Sequence, residues 1–198
     1  FEVKGKKRGK PYNWNTIRSR LAVVKQAIQW ECQVCDLECP PFPSVDFYIP
    51  PHWTDKRERR LASDEESRLY DQISNRKNNS LPWKMLVTLA LETGARLQEM
   101  VLMEWCELSL DDQVWTIPKN HCKTRVTRHV VLSEKAREVI QTLREHKVKH
   151  SSRLFHTIRS PLAASQAFWA ITRDSKIEDL HFHDLRHEAI SRMVASGK

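Results

Sequence analysis

Between residues 13 and 31, Ile17, Leu21, Val24 and Ile28 recur at four-, three- and four-residue steps, which is one face of an α-helix, and Asn15 is placed to cap its start. A single apolar stripe needs a covering partner, and nothing else in residues 1–45 offers enough apolar surface. The segment reads as the closing part of a small helical domain whose beginning lies before Phe1. From Cys39 to His52 the run Cys-Pro-Pro-Phe-Pro-Ser followed by Ile-Pro-Pro-His carries five prolines, which excludes a helix interior and predicts an extended connection. The expected organisation is a helical part over 1–45, a linker over 46–61 and a second domain over 62–198.

Periodicity after the linker is again helical. Ser63-Asp-Glu-Glu66 has capping-box spacing and opens a helix through Leu69 and Ile73. Ser80-Leu-Pro82 starts another, with Met85, Leu86, Leu89 and Ala90 on one face, and Gly94 ends it. The chain has only four glycines. One placed where a helix stops predicts a left-handed terminus. A short helix from Arg96 to about Met103 precedes three strand-like pieces, Trp105–Leu110, Gln113–Ile117 and Arg128–Leu132, with Asp111-Asp112 as the turn between the first two. Ser133 then caps a helix carrying Ala136, Val139, Ile140 and Leu143. Pro161 opens another through Phe168 and Ile171, and the last covers about Phe182 to Ala195. The predicted class is α+β, mainly helical, with a small three-stranded antiparallel sheet.

Charge narrows the partners. With 33 Lys+Arg against 25 Asp+Glu, the net charge of +8 favours a polyanion, because each neutralised phosphate releases counterions. No run approaches the roughly 18 apolar residues of a membrane span, and the first residues lack a signal-peptide core, so an intracellular location is expected. Five cysteines without an export signal are expected to be reduced thiols. Cys32-x-x-Cys35-x-x-x-Cys39, with His52 as a fourth ligand, has a spacing that can hold zinc. A closed site needs a second close pair, and none follows, so ordinary thiols are the favoured reading. Neither a Walker loop nor a Gly-x-Gly-x-x-Gly fingerprint occurs, so no nucleotide cofactor is expected.

Three separated segments carry candidate chemistry: Thr93-Gly94-Ala95-Arg96-Leu97-Gln98-Glu99, then Lys123-Thr124-Arg125 between two strands, then His183-Asp184-Leu185-Arg186-His187 at the start of the last helix. Taken singly, the first is a helix–turn–helix junction and the last a solvated helix face. In this order, with these settings and in a basic chain, they resemble the tyrosine recombinase, or phage integrase, family. The resemblance is close over 62–198 and loose over 13–45, which corresponds to the end of that family's helical core-binding domain. It implies site-specific DNA recombination or integration through a 3′-phosphotyrosine, without metal or cofactor. The expected partners are double-stranded DNA and further copies of the chain in a tetramer, and the expected location is the cytoplasm of a bacterial or phage-infected cell.

Attack on a phosphodiester piles negative charge on the non-bridging oxygens, and guanidinium forks are permanently charged and match them with two parallel hydrogen bonds. Arg96 and Arg186 take that role by the resemblance. At a helix start, Arg96 should also aim backbone N–H groups toward the anion. Lys123 is the candidate proton donor to the departing 5′-oxygen. Lys119 competes, but the Lys-Thr dipeptide and its distance from Arg128-His-Val-Val match the family at Lys123. His183, three residues before Arg186, shares a helix face with it and takes the place of the family's phosphate-contacting histidine. Arg125 joins Arg96, Lys123 and Arg186 as an expected DNA contact. Glu99 either holds the Arg96 guanidinium or makes a surface pair. Asp184 reads as a cap, and His187 as a packing or solvent-facing residue.

The tyrosines are Tyr12, Tyr48 and Tyr70, all before Arg96. In the family the nucleophilic tyrosine follows the His-x-x-Arg motif. It is therefore expected beyond Lys198, and these 198 residues by themselves are expected to bind DNA without cleaving it. The competing reading is a non-catalytic DNA-binding protein that keeps the arginine pocket.

Overall fold

A computed structural model describes residues 12–42, 57 and 59–197. The chain divides into two compact units, residues 1–57 and 58–198. Residues 43–56 and 58, which take in most of the expected 46–61 linker with Tyr48 and His52, lie outside the described residues.

In the first unit, α1 runs Trp14–Val34. Its cap is Asn13, whose side-chain oxygen accepts the Asn15 N–H at 2.9 Å, so the capping asparagine lies two residues earlier than the sequence pattern suggests. Leu21, Val24 and Ile28 of the predicted stripe are exposed, and Cys32 is the buried residue of the helix. Cys35 and Cys39 are exposed, and among the described residues no group of three side chains is arranged to hold a metal ion.

The second unit is built around α3 (Ser80–Thr93), which has nine buried residues among its 14, as expected of a central helix covered on several sides. Against it pack α2 (Ser63–Ser74), α5 (Glu134–Glu145) and α7 (Phe182–Ala195). The short α4 (Leu97–Val101) leans on α6 (Pro161–Asp174), which also meets α2. The caps are local chemistry. Ser133 and Ser160 accept the Ala136 and Ala163 N–H groups at 3.1 and 3.2 Å. At α2 the reciprocal bond runs from the Ala62 N–H to Glu65 at 3.0 Å, one residue earlier than the predicted Ser63–Glu66 pair.

The sheet has two strands, β1 (Val114–Ile117) and β2 (Arg128–Val131), paired antiparallel with Trp115 opposite Val130 and Ile117 opposite Arg128. The expected third strand is corrected. Trp105–Glu107 is a 3-10 turn, and only Leu108 bridges Trp115. Two interactions divert this segment from the sheet: the Trp105 N–H bonds to the Ser152 carbonyl at 2.9 Å, and Glu107 turns inward to accept the Trp115 indole N–H at 2.9 Å. The Asp111-Asp112 turn forms as expected, closed by the Ser109 N–H on the Val114 carbonyl with Asp112 at φ 55°.

Candidate functional site

Gly94 is the point from which the site is built. It ends α3 at φ 58°, ψ 20°, a left-handed conformation that favours glycine, and its N–H closes on the Ala90 carbonyl. A Cβ there would meet Ile190 and Ala189 at ordinary contact distances of 3.5 and 3.6 Å, so the backbone angle, not crowding, demands glycine. The reversal sends the chain straight into Arg96, the N-cap of α4. The freed Gly94 carbonyl accepts a hydrogen bond from the Arg186 guanidinium, 92 residues away on α7.

Glu99, one turn after Arg96, is fully buried. One of its oxygens accepts the Arg96 backbone N–H at 2.7 Å and Arg128 Nη2 at 2.6 Å; the other accepts Arg96 Nη1 at 3.0 Å. The Cys122 thiol lies 3.6 Å from that second oxygen and 3.1 Å from the Thr124 hydroxyl. Burial pushes the Glu99 carboxyl up, but the Arg96 N–H and Arg128 outweigh it and hold it below the usual carboxylate range. Of the two sequence alternatives for Glu99, the buried tether is the one observed. The same bond overturns a detail: the Arg96 N–H is occupied by Glu99, so it is not a free donor aimed at an anion.

Arg186 is lowered from its ordinary value first by partial burial, then by the charges of Arg96 and Arg128. His183, on the same helix, is held below the usual imidazole value by partial burial, then by His187, Arg186 and Arg96, with Asp184 opposing. Its ring meets that of His187 edge-on at 5.0 Å. Asp184 is fully buried and accepts the His181 N–H at 2.7 Å, the cap geometry expected for it. The charges of Arg96 and Arg128 disfavour that of half-buried Arg186, so a bound anion would stabilise this cluster.

Arg96, Arg186, His183 and Glu99 are thus drawn together. Lys123 and Arg125 are not. Both are exposed in the loop between β1 and β2, and among the described residues Lys123 makes no hydrogen bond or ion pair with the arginines. That loop is nonetheless fastened to the core at His121 and Cys122. Cys122 touches Glu99, while His121 Nδ1 lies 2.7 Å from buried Glu107, and Arg125 turns at φ 55° with its N–H on the Cys122 carbonyl. Lys119 is exposed on the same loop. Tyr70 is half-buried with its hydroxyl 2.9 Å from Thr88, and burial raises it above the usual phenol value, a packing role far from that of a nucleophile.

Sequence reasoning passed over Arg128. It read as the first residue of a strand, and the signal available was its alternation with Val130: opposite Ile117, it falls on the inward face where Glu99 waits.

Comparison with known proteins gives a consistent result. Residues 59–198 match the model of the phage integrase family. A shufflon-specific DNA recombinase of Escherichia coli is 34% identical over 195 residues, covering 96% of this chain and 46% of that protein. The chain therefore spans about half the length of this relative. The fold is shared with a Tn1549 transposon integrase solved with circular intermediate DNA (TM-score 0.68, 13% identity, 93% of this chain and 68% of that one). It is also shared with a lambda integrase tetramer solved on a Holliday junction (TM-score 0.66, 16% identity, 89% and 53%).

Proposed function

Because the chain belongs to the phage integrase family, we propose that the complete protein is a site-specific recombinase that cleaves and rejoins double-stranded DNA through a 3′-phosphotyrosine. The observation that carries this reading is the convergence on one turn. Arg96 leaves the Gly94 reversal, Arg186 is bonded to the Gly94 carbonyl, and partial burial and then the charge of Arg96 hold Arg186 below its ordinary value.

In this account the phosphodiester enters between Arg96 and Arg186, which hold its non-bridging oxygens. A tyrosine oxygen attacks phosphorus, the bond to the 5′-oxygen breaks, and Lys123 supplies the proton that oxygen needs. His183, held below the usual imidazole value by partial burial and then by His187, Arg186 and Arg96, is suited to take the phenolic proton. Rejoining is the reverse: a 5′-hydroxyl attacks the phosphotyrosine and returns its proton to Lys123. No nucleotide is needed, since the tyrosyl ester conserves the bond. The tyrosine itself is assigned to chain beyond Lys198, so residues 1–198 alone bind duplex without cutting it. Residues 1–45 act as the end of a core-binding domain, 46–61 as its linker and 62–198 as the catalytic domain. Arg125 contacts the DNA backbone near the lysine. Assembly as a tetramer on DNA and work in the cytoplasm complete the proposal; among the described residues no helix is long and apolar enough to cross a membrane.

The test uses Arg96→Ala and Arg186→Ala in the complete protein. Both are expected to lose cleavage by at least about 100-fold while keeping most duplex binding, because their contacts strengthen in the transition state. Equal loss of binding and cleavage, or binding without any cleavage by the unaltered protein, contradicts the reading; the second outcome favours a non-catalytic DNA-binding protein.

A further inference from the structure

Arg128 stands outside the machinery just described, yet it shares a carboxylate with the centre of it. Its Nη2 lies 2.6 Å from the Glu99 oxygen that also accepts the Arg96 N–H, while the other oxygen holds Arg96 Nη1 at 3.0 Å. A buried carboxylate that fixes Arg96 creates a difficulty. Alone, it would cancel the charge that Arg96 is there to supply. With Arg128 on the same carboxylate and Arg186 nearby, three guanidinium groups and one carboxylate leave an excess of two positive charges. A phosphodiester carries one negative charge, and its five-coordinate transition state spreads a second over the non-bridging oxygens. The excess matches the transition state rather than the ground state.

Packing alone does not account for Arg128. Among the described residues its Nε is buried without a hydrogen-bond partner, so the side chain tolerates an unsatisfied donor in order to reach Glu99. Its position is set by the sheet: pairing with Ile117 turns it to the inward face, and β2 thereby delivers it to Glu99 of α4.

We propose that Arg128 is a positioning residue, the counter-ion of Glu99, which lets that carboxylate hold Arg96 in place without neutralising it for the phosphate. This rests on the recombinase reading above. It makes Arg128 distinct from a DNA-contacting arginine, because its effect passes through Glu99 and not through the phosphate.

The experiment measures single-turnover cleavage of a nicked recombination-site duplex, duplex affinity and thermal unfolding in the complete protein. The variants are Arg128→Gln, Arg128→Lys, Glu99→Gln and the Glu99→Gln/Arg128→Gln double. Arg128→Gln is expected to slow cleavage on the order of 10- to 100-fold, less than loss of a direct oxyanion donor, with affinity changed less than about threefold. Arg128→Lys should recover most of the rate, since it restores the charge. Removing Arg128 should cost little once Glu99 is already neutral, and in Arg128→Gln the acidic limb of the pH–rate profile should move to higher pH as Glu99 becomes easier to protonate. Multiplicative losses in the double variant, no recovery by lysine, or an unmoved acidic limb overturns the proposal even if all variants fold. A folded Arg128→Gln that cleaves at the unaltered rate overturns it outright. If the unaltered protein does not cleave any site, the recombinase reading has failed, and this proposal falls with it for that separate reason.

Discussion

Replacing Glu99 by glutamine keeps the side chain's shape and removes its charge, so its cost reads the strength of the Arg96–Glu99–Arg128 network directly. The carboxylate accepts three short hydrogen bonds, two of them from guanidinium groups. Bonds to charged groups contribute about 1.5–3 kcal/mol each, and breaking a buried pair costs roughly 3–5 kcal/mol. Here the carboxylate is buried, but the Arg96 and Arg128 side chains are 31% and 33% exposed, so solvent screens part of the attraction and the lower end applies. We expect Glu99→Gln to lose about 2–3 kcal/mol at pH 7, or roughly 6–12 °C in melting temperature for a unit of this size. The pH dependence has a definite sign. The folded carboxyl lies below its ordinary value of 4.5, so its stabilisation is fully present above that value and is lost as the pH falls through the folded one. Urea unfolding followed by fluorescence of the tryptophans, Trp115 being fully buried, should show the deficit of Glu99→Gln shrinking between pH 5 and pH 3. A deficit below about 0.5 kcal/mol at pH 7, or one that is constant down to pH 3, would refute the reasoning.

Other outcomes follow from the same geometry. Gly94→Ala should cost about 1–2 kcal/mol from the left-handed backbone alone, with melting temperature as the readout, because the added methyl meets no close contact. His183 should titrate below the usual imidazole value when followed by NMR, and His187→Ala should bring it upward by removing one of the neighbours that hold it down. Duplex binding by residues 1–198 should weaken with salt at a slope of about −2 in log–log form if the phosphate held by Arg96, Arg186 and Lys123 and a second one met by Arg125 are neutralised; a flat response contradicts DNA binding.

Much of the architecture was legible in the sequence, because helices announce themselves locally. The stripe Ala136, Val139, Ile140, Leu143 is buried as its spacing requires, Gly94 adopts the left-handed stop, and α7 has the predicted limits. Failures came where distant partners decide. Trp105–Leu110 has strand composition, yet Ser152 takes its backbone donor and Trp115 draws Glu107 inward, neither visible from local pattern. The site divides the same way. Motif spacing singles out Arg96, His183 and Arg186 as candidates, while Arg128 gains meaning only from strand register, which sets it against a carboxylate on another element. The choice between a tethering and a surface role for Glu99 likewise needed burial, which three-residue spacing does not contain.

The central claim is covalent chemistry at a phosphate held by Arg96 and Arg186. The direct measurement is to incubate the complete protein with a nicked duplex carrying its recombination site, denature it, and identify by mass spectrometry the residue left joined to DNA. The account predicts a denaturation-resistant adduct in which a tyrosine beyond Lys198 carries the 3′-phosphate, abolished in Arg186→Ala. Duplex that is bound but never linked, or linkage through Tyr12, Tyr48, Tyr70 or a serine, contradicts it.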